Sequence, residues 1–346
     1  MSKRSIFYFF MLAIVISACK KQNETSKTIA DKGADTTSTL KIDTGWHAIA
    51  PLPGPRAYAT GFSLNGNGYV GGGVPSMIDP NSIGYNDMYM YDPAKNIWTE
   101  KNWLPAVEYS KQGRERPFSF VINNVAYAGG GSLNGPGGND IESYDTVKNA
   151  WTTLATLGNE LEGGFSFSVA TSIGGRGYIF SYPFDAVDIL TFDPRVNKFV
   201  HGLNLGGVSN ISSDQWLGAS DKQLLTGRGG SDADMISIDT ANSHNYSQTF
   251  NEPSDGYEEL SNKAVATYNG IYYKGCMYVS FGNAGNLYRY NFSTQRWHVV
   301  CQKDLGVTAN VADFLIGGYL YIVGGNNGME SPSTAKAWRV NLDAYP

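Results

Sequence analysis

Four stretches of the chain share one form, and their spacing limits the possible folds more tightly than any other feature. They are YMYDPAKNIW (89–98), ESYDTVKNAW (142–151), LTFDPRVNKF (190–199) and YRYNFSTQRW (288–297). Each carries an aromatic, then Asp or Asn, a turn, and a second aromatic seven residues after the first. A looser copy, ISIDTANSHNY (236–246), stretches that interval to eight. The closing aromatics Trp98, Trp151, Phe199, Tyr246 and Trp297 are spaced by 53, 48, 47 and 51 residues. A regular period of this size means one supersecondary unit, repeated, in which each copy buries its faces against its neighbours.

The rest of each unit agrees. An alternating apolar stretch runs into a glycine cluster in GYVGGG (68–73), AYAGGG (126–131), LLTGRGG (224–230), YVSFG (278–282) and YIVGG (321–325), while YIFSY (178–182) lacks the glycines. The composition is 13% aromatic with 41 Gly and only 16% charged, which favours strands and turns over helices. Four short antiparallel strands per unit satisfy this pattern. The first lies near an axis, the second ends at glycines where backbones crowd, the third carries the Tyr-Asp and the fourth the Trp. The last unit supplies three strands, with Val340-Asn341 in the Tyr-Asp position, and its tryptophan would fall at 347, past residue 346. Trp46 in GWHAIAPLP lies 52 residues before Trp98 and fits as the missing outer strand, delivered from the N-terminal side. That closes six units into a ring without an open seam.

On these motifs residues 45–346 resemble a six-bladed kelch-type β-propeller; the strongest match is YNDMYMYDPAKNIW with GGG upstream. The resemblance implies an all-β fold, spanning 43–346, with the N-terminal strand closing the last blade. The third and fourth units depart from the pattern by lacking the Trp.

Ahead of the repeats, Lys3 and Arg4 precede the apolar run Ile6 to Ser17, which is too short to span a bilayer and fits a secretory leader over 1–18. Ile16-Ser17-Ala18-Cys19 resembles the bacterial lipobox, and this resemblance implies acylation at Cys19 and a membrane anchor in the cell envelope. Residues 19–42 are Lys/Thr/Asp/Ser-rich, cannot bury enough surface to order themselves, and read as a tether. Net charge is −5, and loss of Lys3 and Arg4 makes it more negative, so nucleic acid is not an expected partner. Cys276 and Cys301 fall on the second and fourth strands of one unit, about 9–10 Å apart, beyond disulfide reach. They are expected as free thiols, and the chain as a monomer.

Little in the sequence points to chemistry. GNGYVG (66–71) matches a dinucleotide fingerprint but sits on a hairpin with no helix to receive a pyrophosphate. There is no P-loop, no HExxH and no GxSxG elbow. Asp232 and Asp234 in SDADM read as a solvated turn, and His47, His201, His244 and His298 show no metal-ligand spacing. Neither a metal nor another cofactor is expected, and copper chemistry of the galactose oxidase type would need paired His and Tyr ligands.

In kelch propellers the residues entering the first strand of each blade line one end of the central channel. Carried onto this chain, that mouth consists of Arg56, Arg114-Glu115-Arg116, Glu162, Asp214, Lys263 and Asn310. An arginine pair there suits a carboxylate, because a guanidinium fork matches two oxygens; the same arginines could instead brace neighbouring blades. The favoured reading is a binding module for a glycan or protein ligand at the mouth. The loops 74–87 and 132–140 offer a second surface. The alternative is a sugar-acid mutarotase or epimerase, by analogy with the sialic acid mutarotase-type kelch propellers. In that reading Glu115 is the base and Arg56 and Arg116 anchor the sugar carboxylate. Flanking arginines are expected to lower the Glu115 pKa, which makes Glu162 the alternative base.

Overall fold

The structure is a computed structural model. It describes residues 44–345 apart from 77, 80–81, 104–112, 132–137, 157–167, 182–187, 205–214, 229–234, 240–245, 250–265, 268, 295 and 329–330. Thr44–Tyr345 forms one compact unit.

After β1 (Trp46–Ala48), the strands run as successive antiparallel meanders. The first is β2 (Thr60–Leu64), β3 (Asn67–Gly71), β4 (Asp87–Asp92) and β5 (Ile97–Asn102), and the second is β6 (Phe118–Ile122), β7 (Val125–Gly129), β8 (Asp140–Asp145) and β9 (Ala150–Thr156). The third is β10 (Ser168–Ile173), β11 (Arg176–Ser181), β12 (Asp188–Asp193) and β13 (Lys198–Asn204). Then come β14 (Gln215–Ala219), β15 (Gln223–Arg228), β16 (Met235–Asp239) and β17 (Tyr246–Thr249), followed by β18 (Asn269–Tyr273), β19 (Cys276–Ser280), β20 (Leu287–Asn291) and β21 (Arg296–Cys301). Finally β22 (Ala312–Ile316), β23 (Tyr319–Val323) and β24 (Ala337–Asn341) take β1 as their fourth strand.

The recurring motif is the third-to-fourth-strand hairpin. Its two aromatics face each other across the register as Tyr91↔Trp98, Tyr144↔Trp151, Phe192↔Phe199 and Tyr290↔Trp297. The looser copy pairs Ile238↔Tyr246. The Asp between them closes the turn, as Asp92 Oδ1 accepts from the Ala94 and Lys95 amides and Asp145 Oδ1 does the same for Val147 and Lys148. Asn96, Asn149 and Asn197 follow at φ of 54°, 51° and 51°, the left-handed conformation that asparagine tolerates better than most side chains.

The same residues stitch one unit to the next. Asn96 Oδ1 accepts from the Ala50 amide at 2.9 Å, and the Trp98 indole donates to the Ala50 carbonyl at 2.8 Å. One unit later Asn149 Oδ1 accepts from the Asn102 amide at 3.1 Å, and Trp151 donates to the Asn102 carbonyl at 2.9 Å. Phe199 has no N–H to donate, which explains how the third unit departs from the pattern without losing its hairpin.

The larger apolar clusters lie between successive four-stranded units. Phe62, Leu64 and Met88 meet Ala126, Ala128 and Tyr144, while Phe120 and Tyr127 meet Ile179 and Phe192. Aromatic rings enter slots kept open by glycine: a Cβ on Gly68 would lie 2.1 Å from the Phe314 ring, and one on Gly177 would lie 2.2 Å from the Phe120 ring. Cys276 is buried and Cys301 half-buried, and both are free thiols.

Six separate blades were expected; among the described residues the hydrogen-bonded sheets number five. Inner strands β14 and β18 pair in parallel through Leu217↔Asn269 and Gly218↔Gly270, which joins two four-stranded meanders into one eight-stranded sheet. The cause is local. Gly218 and Gly270 lack side chains, and a Cβ on Gly218 would lie 2.8 Å from the Gly270 carbonyl oxygen, so only glycine permits this approach. Elsewhere β2, β6, β10, β14, β18 and β22 neighbour one another in that cyclic order as the inner strands. At the closure β1 pairs with β24 through Trp46↔Val340, His47↔Arg339 and Ala48↔Trp338, so the N-terminal strand completes the last sheet as expected.

Candidate functional site

Those inner strands line a central cavity of about 370 Å3. Two residues before β2, β6 and β22 stand Tyr58, Arg116 and Asn310, at φ of 58°, 53° and 62°. Left-handed backbone is strained for side chains of this size and persists only where the surroundings enforce it. Here the enforcement is a chain of backbone bonds between units: the Tyr58 amide donates to the Asn310 carbonyl at 3.0 Å, and the Arg116 amide donates to the Tyr58 carbonyl at 2.8 Å. The three residues therefore form an arc at the end of the channel where the inner strands begin.

The arginines divide into two kinds. Arg56 and Arg114 are each about 1% exposed. Arg56 grips Asp87 with both arms of its fork, at 2.7 and 3.1 Å, and donates to the Gly72 carbonyl at 3.1 Å. Arg114 repeats this with Asp140, at 2.9 and 2.5 Å, and with the Gly130 carbonyl at 2.7 Å. In both units the arginine lies sixteen residues before the glycine it caps. Their own carbonyls are also engaged, since Gly325 N–H donates to Arg56 O at 2.8 Å and Gly73 N–H to Arg114 O at 2.7 Å. Of the two roles open to these arginines, ligand anchor or brace, the contacts are those of a brace: the forks tie Asp87 and Asp140 to the glycine doublets of their own units, and the backbone carbonyls hold the doublets of the preceding units.

Arg116 differs. Its guanidinium lies 3.9 Å from the centroid of the Tyr58 ring and 3.7 Å from Glu115 Oε1, with its side chain 18% exposed. Glu115 was expected to be a weak base, lowered by arginines on both sides. The outcome is the reverse: burial raises its pKa, and the Arg116 charge offsets this only in part. Arg114 is turned to Asp140, so one of the two flanking charges is spent elsewhere.

Asn310 Nδ2 donates to Asn326 Oδ1 at 2.8 Å, and both side chains are buried. Asn326 Nδ2 has no hydrogen-bond partner among the described residues. Deeper in the channel stands Asp313, 2% exposed, which accepts from Asn269 Nδ2 at 2.6 Å through Oδ1 while Oδ2 has no partner among the described residues. Desolvation pushes its pKa up to about 7 against the opposing Asn269 hydrogen bond. No cluster of metal-ligating side chains occurs among the described residues.

The structure thus brings together Arg116, Glu115 and Asn310 of the expected set. Glu162, Asp214, Lys263, Cys19 and the SDADM aspartates lie outside the described residues. Sequence reasoning missed Tyr58, Asn326 and Asp313. Asn326 carried one signal, since it follows the glycine doublet of its unit and lies sixteen residues after Asn310. Asp313 carried none, because ADFLI reads as an ordinary strand.

No protein-family model matches the chain. Over 105 residues, 29% of the chain, it is 32% identical to the N-acetylneuraminate epimerases of Shigella flexneri serotype 5b and of Escherichia coli K12. The matched stretch spans 27% of the length of those curated relatives. The solved structure of YjhT superposes with a TM-score of 0.60 at 14% identity, covering 83% of this chain and 95% of YjhT. At that identity the likeness speaks to fold alone, and the fold is an all-β propeller.

Proposed function

We propose that this chain is an exported lipoprotein of the cell envelope, acylated at Cys19 and tethered by residues 19–42, whose propeller binds a sugar acid or related glycan at the channel mouth. In this reading the propeller is of the kelch type with six units, two of them fused through β14 and β18. Its hairpin motif and the division of the eight-stranded sheet into two meanders support that count.

The observation that carries the binding reading is the Arg116–Glu115–Tyr58 group. It places a cation on an aromatic face beside a half-buried acid, on backbone held in a strained conformation at the end of the channel where the inner strands begin. Arg116 is the anchor for the carboxylate, in place of the Arg56–Arg116 pair, and the partly matched N-acetylneuraminate epimerases support the substrate class. The test is calorimetric titration of the full chain with N-acetylneuraminate, glucuronate and neutral sugars. Binding confined to the acids and lost in Arg116→Ala supports the reading; equal binding of neutral sugars, or none at all, sinks it.

A second reading is favoured by one specific observation, the raised proton affinity of Glu115. Anomer interconversion needs a proton taken from the anomeric hydroxyl and one delivered to the ring oxygen as the ring opens, then the reverse on closure. A carboxyl whose proton affinity burial raises above that of a free glutamate holds and returns a proton more readily, which suits both transfers. In that case Glu115→Gln retains affinity and loses acceleration of mutarotation, followed by NMR.

A further inference from the structure

We propose that the channel below the mouth is a recognition site for the hydroxyl groups of a polyol chain, with the Asp313 carboxyl as its principal acceptor. This rests on the sugar-acid reading of the mouth and extends it, because Asp313 lies three residues along from Asn310, within about 10 Å of chain.

The geometry of β22 and its neighbours makes the case. Asp313 is the second residue of its inner strand, paired with Ile322. The equivalent second positions of β2 and β6 hold Gly61, paired with Val70, and Ser119, paired with Ala128. Gly61 admits the Asp313 backbone itself, since a Cβ there would lie 2.6 Å from the Asp313 carbonyl oxygen, and the cavity of about 370 Å3 that the carboxyl lines falls within the range of small-ligand pockets. Asn269 holds one carboxyl oxygen in place, while the other, buried and without a partner among the described residues, belongs to a side chain lining the cavity. A buried acceptor of this kind is costly unless a donor reaches it.

The surroundings select the donor. The described lining contains neither Lys nor Arg, which disfavours a second anionic group. Besides Asp313 it contains Asp221, whose Oδ2 already accepts from the Tyr272 hydroxyl at 2.8 Å, and the hydroxyls of Ser63, Ser119, Thr171, Ser172 and Ser220, which both donate and accept. Ser119 Oγ already shares a hydrogen bond with Thr60 Oγ1 at 2.7 Å, which fixes one such hydroxyl near the Asp313 level. A chain of hydroxyls, each donating once and accepting once, matches this lining better than an ammonium group, which only donates. The ligand class is therefore a sugar acid with an exocyclic polyol arm, of which N-acetylneuraminate is one; glucuronate lacks such an arm.

The test is calorimetric titration of the full chain and its Arg116→Ala, Asp313→Asn and Asp313→Ala variants with N-acetylneuraminate and glucuronate. Loss of a hydrogen bond to a charged acceptor predicts about a tenfold or larger loss of N-acetylneuraminate affinity in Asp313→Ala. Asp313→Asn is expected to fall between this and wild type, and glucuronate affinity to stay unchanged in both. Asp313→Asn relieves the desolvation of a buried carboxyl while keeping a side-chain acceptor for Asn269, so it is expected to melt no lower than wild type and its weaker binding is separable from misfolding; Asp313→Ala also leaves Asn269 Nδ2 without its acceptor and is read beside its own melting temperature. If wild type binds N-acetylneuraminate, Arg116→Ala loses it and both Asp313 variants keep it, the channel site is overturned while the mouth reading stands. If wild type binds neither sugar acid, the mouth reading is overturned and the channel site with it.

Discussion

Asp313 holds its proton up to a pKa of about 7, although Asn269 donates to it, because burial outweighs that hydrogen bond. The unfolded chain ionises the same group near 3.8, so between those values the folded state binds more protons. Its stabilising contribution is therefore present below the unfolded value and is lost as pH rises through about 7. Burial raises Glu115 and Glu142 in the same direction, and they add to this slope. Asp313→Asn is expected to raise Tm at neutral pH and to flatten its fall between about pH 4 and about pH 7, measured by thermal unfolding across that range. A different outcome is expected at the braces. Arg114→Ala leaves Asp140 and the Gly130 carbonyl without their donor and is expected to cost about 3–5 kcal/mol in urea unfolding, whereas the partly exposed Arg116→Ala costs about 1 kcal/mol or less. The sequence made these arginines visible as charges ahead of inner strands. It could not show which of them a carboxylate already occupies, since Asp87 and Asp140 lie 31 and 26 residues further along, across a connecting loop. The burial of Asp313 was illegible for a related reason: it is created by neighbouring strands of the ring, not by its own.

Among the elements, the hairpins were the most legible, because an interval of seven between aromatics is itself a register: it places Tyr91 opposite Trp98 across one turn. The glycine clusters were legible as crowding, and Gly73, at φ 87° with the Ala57 carbonyl 2.6 Å from where a Cβ would sit, bears that reasoning out. The fusion of β14 with β18 was not legible, since a glycine in each of two inner strands says nothing until the strands are neighbours. Two expectations belong to this scale. Gly177→Ala drives a methyl into the Phe120 ring and is expected to cost about 1–3 kcal/mol, whereas the same change at Gly45, with open space around it, meets only its positive φ. Trp98→Phe keeps the cross-strand aromatic contact but removes the donor to the Ala50 carbonyl, at about 0.5–1.5 kcal/mol. Denaturant titration of both variants beside wild type checks these values, and a Trp98→Phe protein of wild-type stability would show that the stitch between units is idle.

For the molecule as a whole, stability depends on the contact between its first strand and its last. Trp46 is 3% exposed, donates its indole N–H to the Gly285 carbonyl at 2.9 Å and sits in the cluster that joins the last two units. Trp46→Ala is expected to cost about 3–5 kcal/mol and to expose the outer edge of β24, visible as a lower Tm and as association in light scattering. The closure also sets an order in time. Gly45 donates to the Tyr345 hydroxyl across 300 positions, and β1 has no hydrogen-bonded strand partner other than β24 among the described residues. Synthesis delivers β1 early and β24 late, so the N-terminal strand waits unpaired while the intervening meanders fold, each able to form from its own local hairpins. The last slow step is then the search of a three-residue strand for a distant edge, and any factor that shields β1 in that interval acts on yield without touching the stability of the finished ring.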